Sequence, residues 1–158
     1  MYRGKYINSN QPCDTIFDIR QKTPEFGRGK DAFDDMAMYA LAFDESDVPV
    51  GSGRLRIDED NHFRIDYLGV LPEQRRRYIG DLLARMLLYK AQELNAASVY
   101  ALVPRAYMRF FARYGFKPVQ EADSDECQMY VEGDKIILEG SCSRSSKASC
   151  PGDCSLCK

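Results

Sequence analysis

The sequence has no excess of charge of either sign, no long apolar run and no internal repeat. Net charge is −2 over 158 residues, so nothing global points to nucleic acid or an anionic membrane surface. The longest apolar runs are far too short to cross a bilayer. The opening stretch, "MYRGKYINSNQPCD", has no apolar segment of the secretory type, so a cytoplasmic protein is the expectation. Histidine occurs once, at His62, after the polar stretch "DEDN". An exposed loop position is expected for it.

What is present is an ordinary globular balance, 44% hydrophobic and 29% charged, enough for one domain with one core. "FDIRQKTPEF" holds a short helix that must stop before Pro24. "MAMYALAF" (Met36 to Phe43), "VGSGRLRI" (Val50 to Ile57) and "FRIDYLGV" (Phe63 to Val70) are separated by short polar breaks. They predict an antiparallel meander. The period then changes. Ile79, Leu82, Leu83, Met86, Leu87, Ala91 and Leu94 make the apolar stripe of an amphipathic helix. "SVYALV" (Ser98 to Val103) predicts a buried strand. "PRAYMRFFARYGF" predicts a short helix from Pro104 to a stop at Gly115. One or two strands follow up to Leu138, with "EGD" (Glu132 to Asp134) as a hairpin turn. The order predicts an α/β (α+β) fold: one mixed, mostly antiparallel sheet flanked by helices. The domain is expected over 1–139, with a Cys-rich tail over 140–158.

"QRRRYIG" (Gln74 to Gly80) places three arginines at a helix start, where backbone N–H groups lack partners and the dipole already favours anions. A solvated arginine run is the plain alternative. A pyrophosphate needs what this turn supplies, converging N–H donors and cationic side chains.

The stretch "LGVLPEQRRRYIGDLLARML" resembles the acyl-CoA-binding motif of the GNAT superfamily of N-acyltransferases. That motif reads Arg/Gln-x-x-Gly-x-Gly/Ala, and its positions fall here on Arg75, Tyr78 and Gly80. "FFARYGF" (Phe110 to Phe116) resembles a second family segment. The resemblance covers roughly residues 5 to 138. It implies that Arg75, Arg76, Arg77, Tyr78, Ile79 and Gly80 hold the phosphates of acetyl-CoA. It also implies that the backbone of Leu68, Gly69 and Val70 grips the acyl-CoA and polarises the thioester carbonyl. Tyr78 stands where the family has glycine. If that position needs the close approach of glycine, tyrosine weakens the site. If it keeps helical geometry, tyrosine costs little.

The implied reaction is attack of an amine on the thioester. An alkyl amine, with a pKa of about 10, must lose a proton first. Asp66 is the candidate base, at the family's glutamate position. Alternation predicts it on one face with Leu68 and Val70, among apolar neighbours. The alternative is a strand aspartate paired with Arg54 or Arg64. The family's thiolate-protonating tyrosine falls on Phe111, which lacks a hydroxyl and lines the cofactor site. Tyr107 is preferred as its substitute, Tyr114 being the other candidate, and aromatic core packing is the alternative for both. Asp34, Asp35, Asp58, Glu59 and Asp60 make the acceptor-side loops acidic.

The tail gives C-x7-C-x3-C-x2-C at Cys142, Cys150, Cys154 and Cys157. Four thiolates converging from short turns suit zinc or an iron–sulfur cluster. A reactive-thiol or disulfide-forming tail is the alternative. The whole predicts a cytoplasmic N-acetyltransferase using acetyl-CoA and a small amine, without nucleic acid or membrane partners, as a monomer or a homodimer. A non-catalytic acyl-CoA-binding or metal- or redox-sensing module is the second expectation.

Overall fold

The computed structural model describes residues 1–23, 30–120 and 125–138. Seven strands form one sheet: β1 (Arg3–Asn8), β2 (Met38–Phe43), β3 (Pro49–Ile57), β4 (His62–Val70), β5 (Ser98–Pro104), β6 (Lys117–Pro118) and β7 (Glu126–Glu132). Their spatial order is β1-β2-β3-β4-β5-β7-β6. The expected meander is β2-β3-β4, and each neighbouring pair is antiparallel except β4 with β5. A parallel pair needs a crossover, and α2 (Ile79–Glu93) supplies it.

The α2 stripe is as expected at its centre. Leu83, Leu87, Leu88 and Ala91 are fully buried against the sheet. Each buried leucine contributes about 2 kcal/mol of apolar transfer. Leu94, expected in the stripe, lies beyond the helix end and is 43% exposed. The opposite sheet face carries a smaller core. There α1 (Asp14–Lys22) packs Ile16 and Ile19 against Ile7, Tyr39 and Leu41. The chain leaves α1 at Thr23 with extended geometry (ψ 111°), as a residue before proline must.

Four expectations change. β1 escaped the sequence pattern because "RGKYIN" is an edge strand, largely exposed and carrying charge rather than alternating apolar residues. Met36 belongs to a 3-10 turn (Ala32–Met36), not to β2. "EGD" joins no hairpin: β7 ends at Glu132, and Gly133–Lys135 is a 3-10 turn. The Pro104–Gly115 segment splits into a 3-10 turn (Arg105–Tyr107) and α3 (Met108–Ala112). Gly115 has a φ of 98°, which closes the segment where a side chain would be strained. The tail expected over 140–158 lies outside the described residues.

Candidate active site

The two parallel strands at the centre of the sheet part company. β4 pairs with β5 from His62↔Ser98 to Ile65↔Ala101. Beyond that point β4 continues against β3, with Gly69↔Ser52 and Val70↔Gly51. β5 continues against β7 as far as Pro104↔Glu126. Among the described residues, no ladder joins 66–70 to 102–104, so backbone donors and acceptors on both inner edges face an opening.

The strands diverge where β4 bulges. The β3–β4 register shifts between Ser52 and Arg54, and Tyr67 sits opposite that shift with a φ of 51°. An extra residue in the left-handed region bends the strand and upsets alternation. Asp66 lies across from Arg54 and is bound there. Leu68 packs instead on the α2 side, its Cδ1 3.0 Å from where a Cβ on Gly53 would stand. The expected shared face for Asp66, Leu68 and Val70 is therefore corrected: Leu68 and Val70 face the α2 core, and Asp66 faces α1.

Asp66 is not among apolar neighbours either. Its Oδ2 accepts from Arg54 Nη2 (2.8 Å), Arg54 Nε (3.2 Å) and Arg56 Nε (2.7 Å). The ion-paired alternative, with Arg54 but not Arg64, is the arrangement present. Arg64 reaches Asp58 at 3.9 Å. Arg54 is 2% exposed and also donates to Asp31 (2.5 Å) and Asp34 (3.0 Å). Asp34 in turn takes both Nη groups of Arg20 at 3.0 Å and the Tyr39 hydroxyl at 2.7 Å. Burial alone raises the Asp34 carboxyl pKa. The donors from Arg20, the Asp31 backbone, Tyr39 and Arg54 outweigh it and hold the group well below the ordinary carboxylate range. Asp34 is thus an interior anchor and no part of an acidic loop surface.

The mouth of the opening is the start of α2. Leu82 N–H makes the first helical bond to Tyr78 C=O (3.1 Å). The N–H groups of Ile79, Gly80 and Asp81 precede it and lack intrahelical acceptors. Tyr78 has φ 63° and ψ 15°. The helical case left open by the sequence does not hold: tyrosine occupies a left-handed, glycine-type conformation. Ile79 is buried and fixes the first turn on the core. Gly80 faces Phe110, whose Cζ lies 3.7 Å from a Cβ position there.

The three arginines differ. Arg75 Nε donates to Val70 C=O (3.0 Å), tying the turn to the strand end. Arg77 donates to the Tyr2 hydroxyl (3.2 Å). Arg76 is exposed on a left-handed backbone (φ 66°).

Phe111 is 8% exposed and stacks edge-on with Phe110 and Phe116, which places it in the core behind the mouth. Tyr114 is also a core residue, and its hydroxyl donates to Asp81. Burial first, and this bond second, push its pKa far up. Tyr107 is 43% exposed at the junction of the 3-10 turn and α3. His62 is half-buried rather than exposed. Its Nδ1 contacts Ser98 Oγ at the end of β4 away from the opening. A depression lined by Asn8, Met36, Ile57, Phe63 and Leu94 includes no residue of the α2 start or of 66–70 and 102–104. Among the described residues no group of three metal-ligating side chains converges. Cys142, Cys150, Cys154 and Cys157 lie outside the described residues.

Sequence reasoning missed Tyr67 and Arg20, and named Arg54 only as a partner for Asp66. Gly53, opposite the bulge, was the available signal: a Cβ there would stand 2.8 Å from Leu87 Cδ1.

The central parallel strands of the sheet thus part beside the N-terminus of the crossover helix. The chain belongs to the acetyltransferase (GNAT) family, whose family model matches residues 8–116. Acyl transfer from an acyl-CoA is the class of activity that membership carries. The fold is similar to that of Escherichia coli ElaA, at 18% identity and a TM-score of 0.72, covering 84% of this chain and 100% of that one. It is similar to an acyl-CoA N-acyltransferase from Pseudomonas aeruginosa, at 16% identity and a TM-score of 0.69, covering 82% and 99%. It is also similar to the PaiA N-acetyltransferase from Thermoplasma acidophilum in complex with coenzyme A, at 14% identity and a TM-score of 0.61, covering 84% and 99%. No helix among the described residues is long and apolar enough to cross a membrane.

Proposed function

We propose that the protein transfers an acetyl group from acetyl-CoA to the primary amine of a small molecule, by direct attack in a ternary complex. The observation that carries this reading is the unpaired gap between 66–70 of β4 and 102–104 of β5, beside the free N–H groups that open α2. Pyrophosphate oxygens accept from Ile79 and Gly80 N–H, with Arg76 and Arg77 adding charge. The backbone of Leu68, Gly69 and Val70 holds the acyl arm, and an N–H there polarises the thioester carbonyl.

The amine nitrogen forms a bond to the thioester carbon, and the tetrahedral oxyanion collapses with cleavage of C–S. The thiolate takes a proton from Tyr107, the exposed tyrosine beside the gap's β5 side. Asp66 is assigned an anchoring role. Three N–H contacts already occupy its Oδ2, so the amine's proton leaves to water in the opening.

The test is acetyl-CoA turnover with a panel of primary amines, followed as release of the CoA thiol. Amine-dependent release is expected. Tight acetyl-CoA binding with no release for any amine would favour a non-catalytic acyl-CoA-binding module, the reading that the hydroxyl-free Phe111 supports. For the tail, the proposal rests on spacing alone: Cys142, Cys150, Cys154 and Cys157 hold one zinc or an iron–sulfur cluster. Metal content of purified protein, before and after Cys→Ser replacement of the four, decides it.

A further inference from the structure

Tyr67 holds a left-handed backbone at the point where β4 leaves β5. Glycine adopts that conformation freely, and tyrosine does so against steric cost. Something must therefore hold it, and its surroundings are specific. The guanidinium carbon of Arg20 lies 4.1 Å from the ring centroid and that of Arg54 lies 4.8 Å from it. The hydroxyl donates to Asp31 Oδ2 at 3.2 Å. Two cations gathered over one ring repel each other unless carboxylates stand between them. Asp34 binds both arginines, while Asp31 and Asp66 bind Arg54. Arg20, Arg54 and Asp34 are almost wholly buried, so the assembly is rigid.

We propose that this Arg20–Tyr67–Arg54 clamp sets the separation of β4 and β5, making Tyr67 a positioning residue for the acyl-pantetheine arm. The inference rests on the acyl-CoA reading above. The arm, and not the nucleotide, is the part that responds, because phosphates are assigned to the start of α2 and the arm to Leu68–Val70. Removing the ring releases the bulge, lets β4 relax toward β5 and narrows the gap.

The experiment measures dissociation constants for acetyl-CoA and for 3′-phospho-ADP in wild type, Tyr67→Phe, Tyr67→Leu and Tyr67→Gly, with melting temperatures alongside. Phenylalanine keeps the ring over both guanidiniums, so its acetyl-CoA affinity stays within about twofold of wild type. Leucine loses the ring and keeps the steric cost of the left-handed backbone, so acetyl-CoA binding weakens by about tenfold or more while 3′-phospho-ADP binding is unchanged. Glycine holds that backbone without a ring, so its acetyl-CoA affinity falls less than that of leucine. Acetyl-CoA affinity equal to wild type in Tyr67→Leu overturns the clamp. So does equal weakening of both ligands, and so does a leucine variant that cannot fold, since the ring would then serve the fold and not the gap. A wild-type protein that binds neither ligand overturns the acyl-CoA reading itself and the clamp with it.

Discussion

Asp66 and Leu68, two residues apart on one strand, face opposite sides of the sheet. Asp66 meets Arg54 and Arg56 on the α1 side, and Leu68 packs on the α2 core. The left-handed Tyr67 between them breaks the alternation. Asp66→Asn removes one of the carboxylates that neutralise a buried arginine. It should lower stability by about 1–3 kcal/mol, discounted for the partial exposure of Asp66. The shape of the pH–rate profile for acetyl transfer should stay the same. Loss of its acidic limb in this variant would restore Asp66 as the base.

Tyr78 has a glycine-type φ of 63° at the start of α2. A left-handed tyrosine costs about 1–2 kcal/mol, partly offset by the larger chain entropy of a glycine. Tyr78→Gly should therefore raise the melting temperature by about 2–4 °C. Its acetyl-CoA affinity should not fall. A lower melting temperature would mean that ring contacts outweigh the backbone cost.

Tyr107→Phe removes the proposed proton donor at an exposed position. kcat should fall by about tenfold to a hundredfold. That is at or below the usual range for proton transfer, because a thiol with a pKa of about 8.5 leaves readily. KM and melting temperature should be unchanged. An unaltered kcat would assign the proton to water.

Stability should fall at both ends of the pH scale. Asp34 is held below its ordinary range, so its contribution is complete above the unfolded carboxyl pKa of about 3.9. It is lost as the pH drops through that value toward the folded one. Tyr39 and Tyr114 are pushed up, first by burial and then by donating to Asp34 and Asp81. Their contribution is complete below the unfolded tyrosine pKa of about 10 and is lost as the pH rises past it. Melting temperature against pH reads both limbs. Tyr114→Phe should flatten the alkaline limb, and Asp34→Asn the acid one. Unchanged limbs would place the titrating groups elsewhere.

Most of the fold was legible because its elements are periodic. The meander alternates, and α2 repeats every three to four residues from Ile79 to Ala91. What stayed hidden depended on single backbone angles. Nothing in "RIDYLGV" announces that Tyr67 is left-handed, so period two placed Asp66 on the wrong face. β1 was hidden because an exposed edge strand has little apolar pattern to show. The phosphate turn was visible as a motif, yet the sequence could not divide its arginines. Arg75 ties back to Val70, whereas Arg76 is exposed. Tyr114 looked interchangeable with Tyr107 by helical spacing, and burial separates them.

The central claim is that the gap beside α2 binds an acyl-CoA. Thermal unfolding with acetyl-CoA, with CoA and with ATP tests it most directly. At about 100 times its dissociation constant a bound ligand adds about 2.7 kcal/mol, a rise of several degrees for a chain of this size. The account predicts that rise for acetyl-CoA and for CoA, and a smaller one or none for ATP. An unshifted transition at millimolar acetyl-CoA would contradict it.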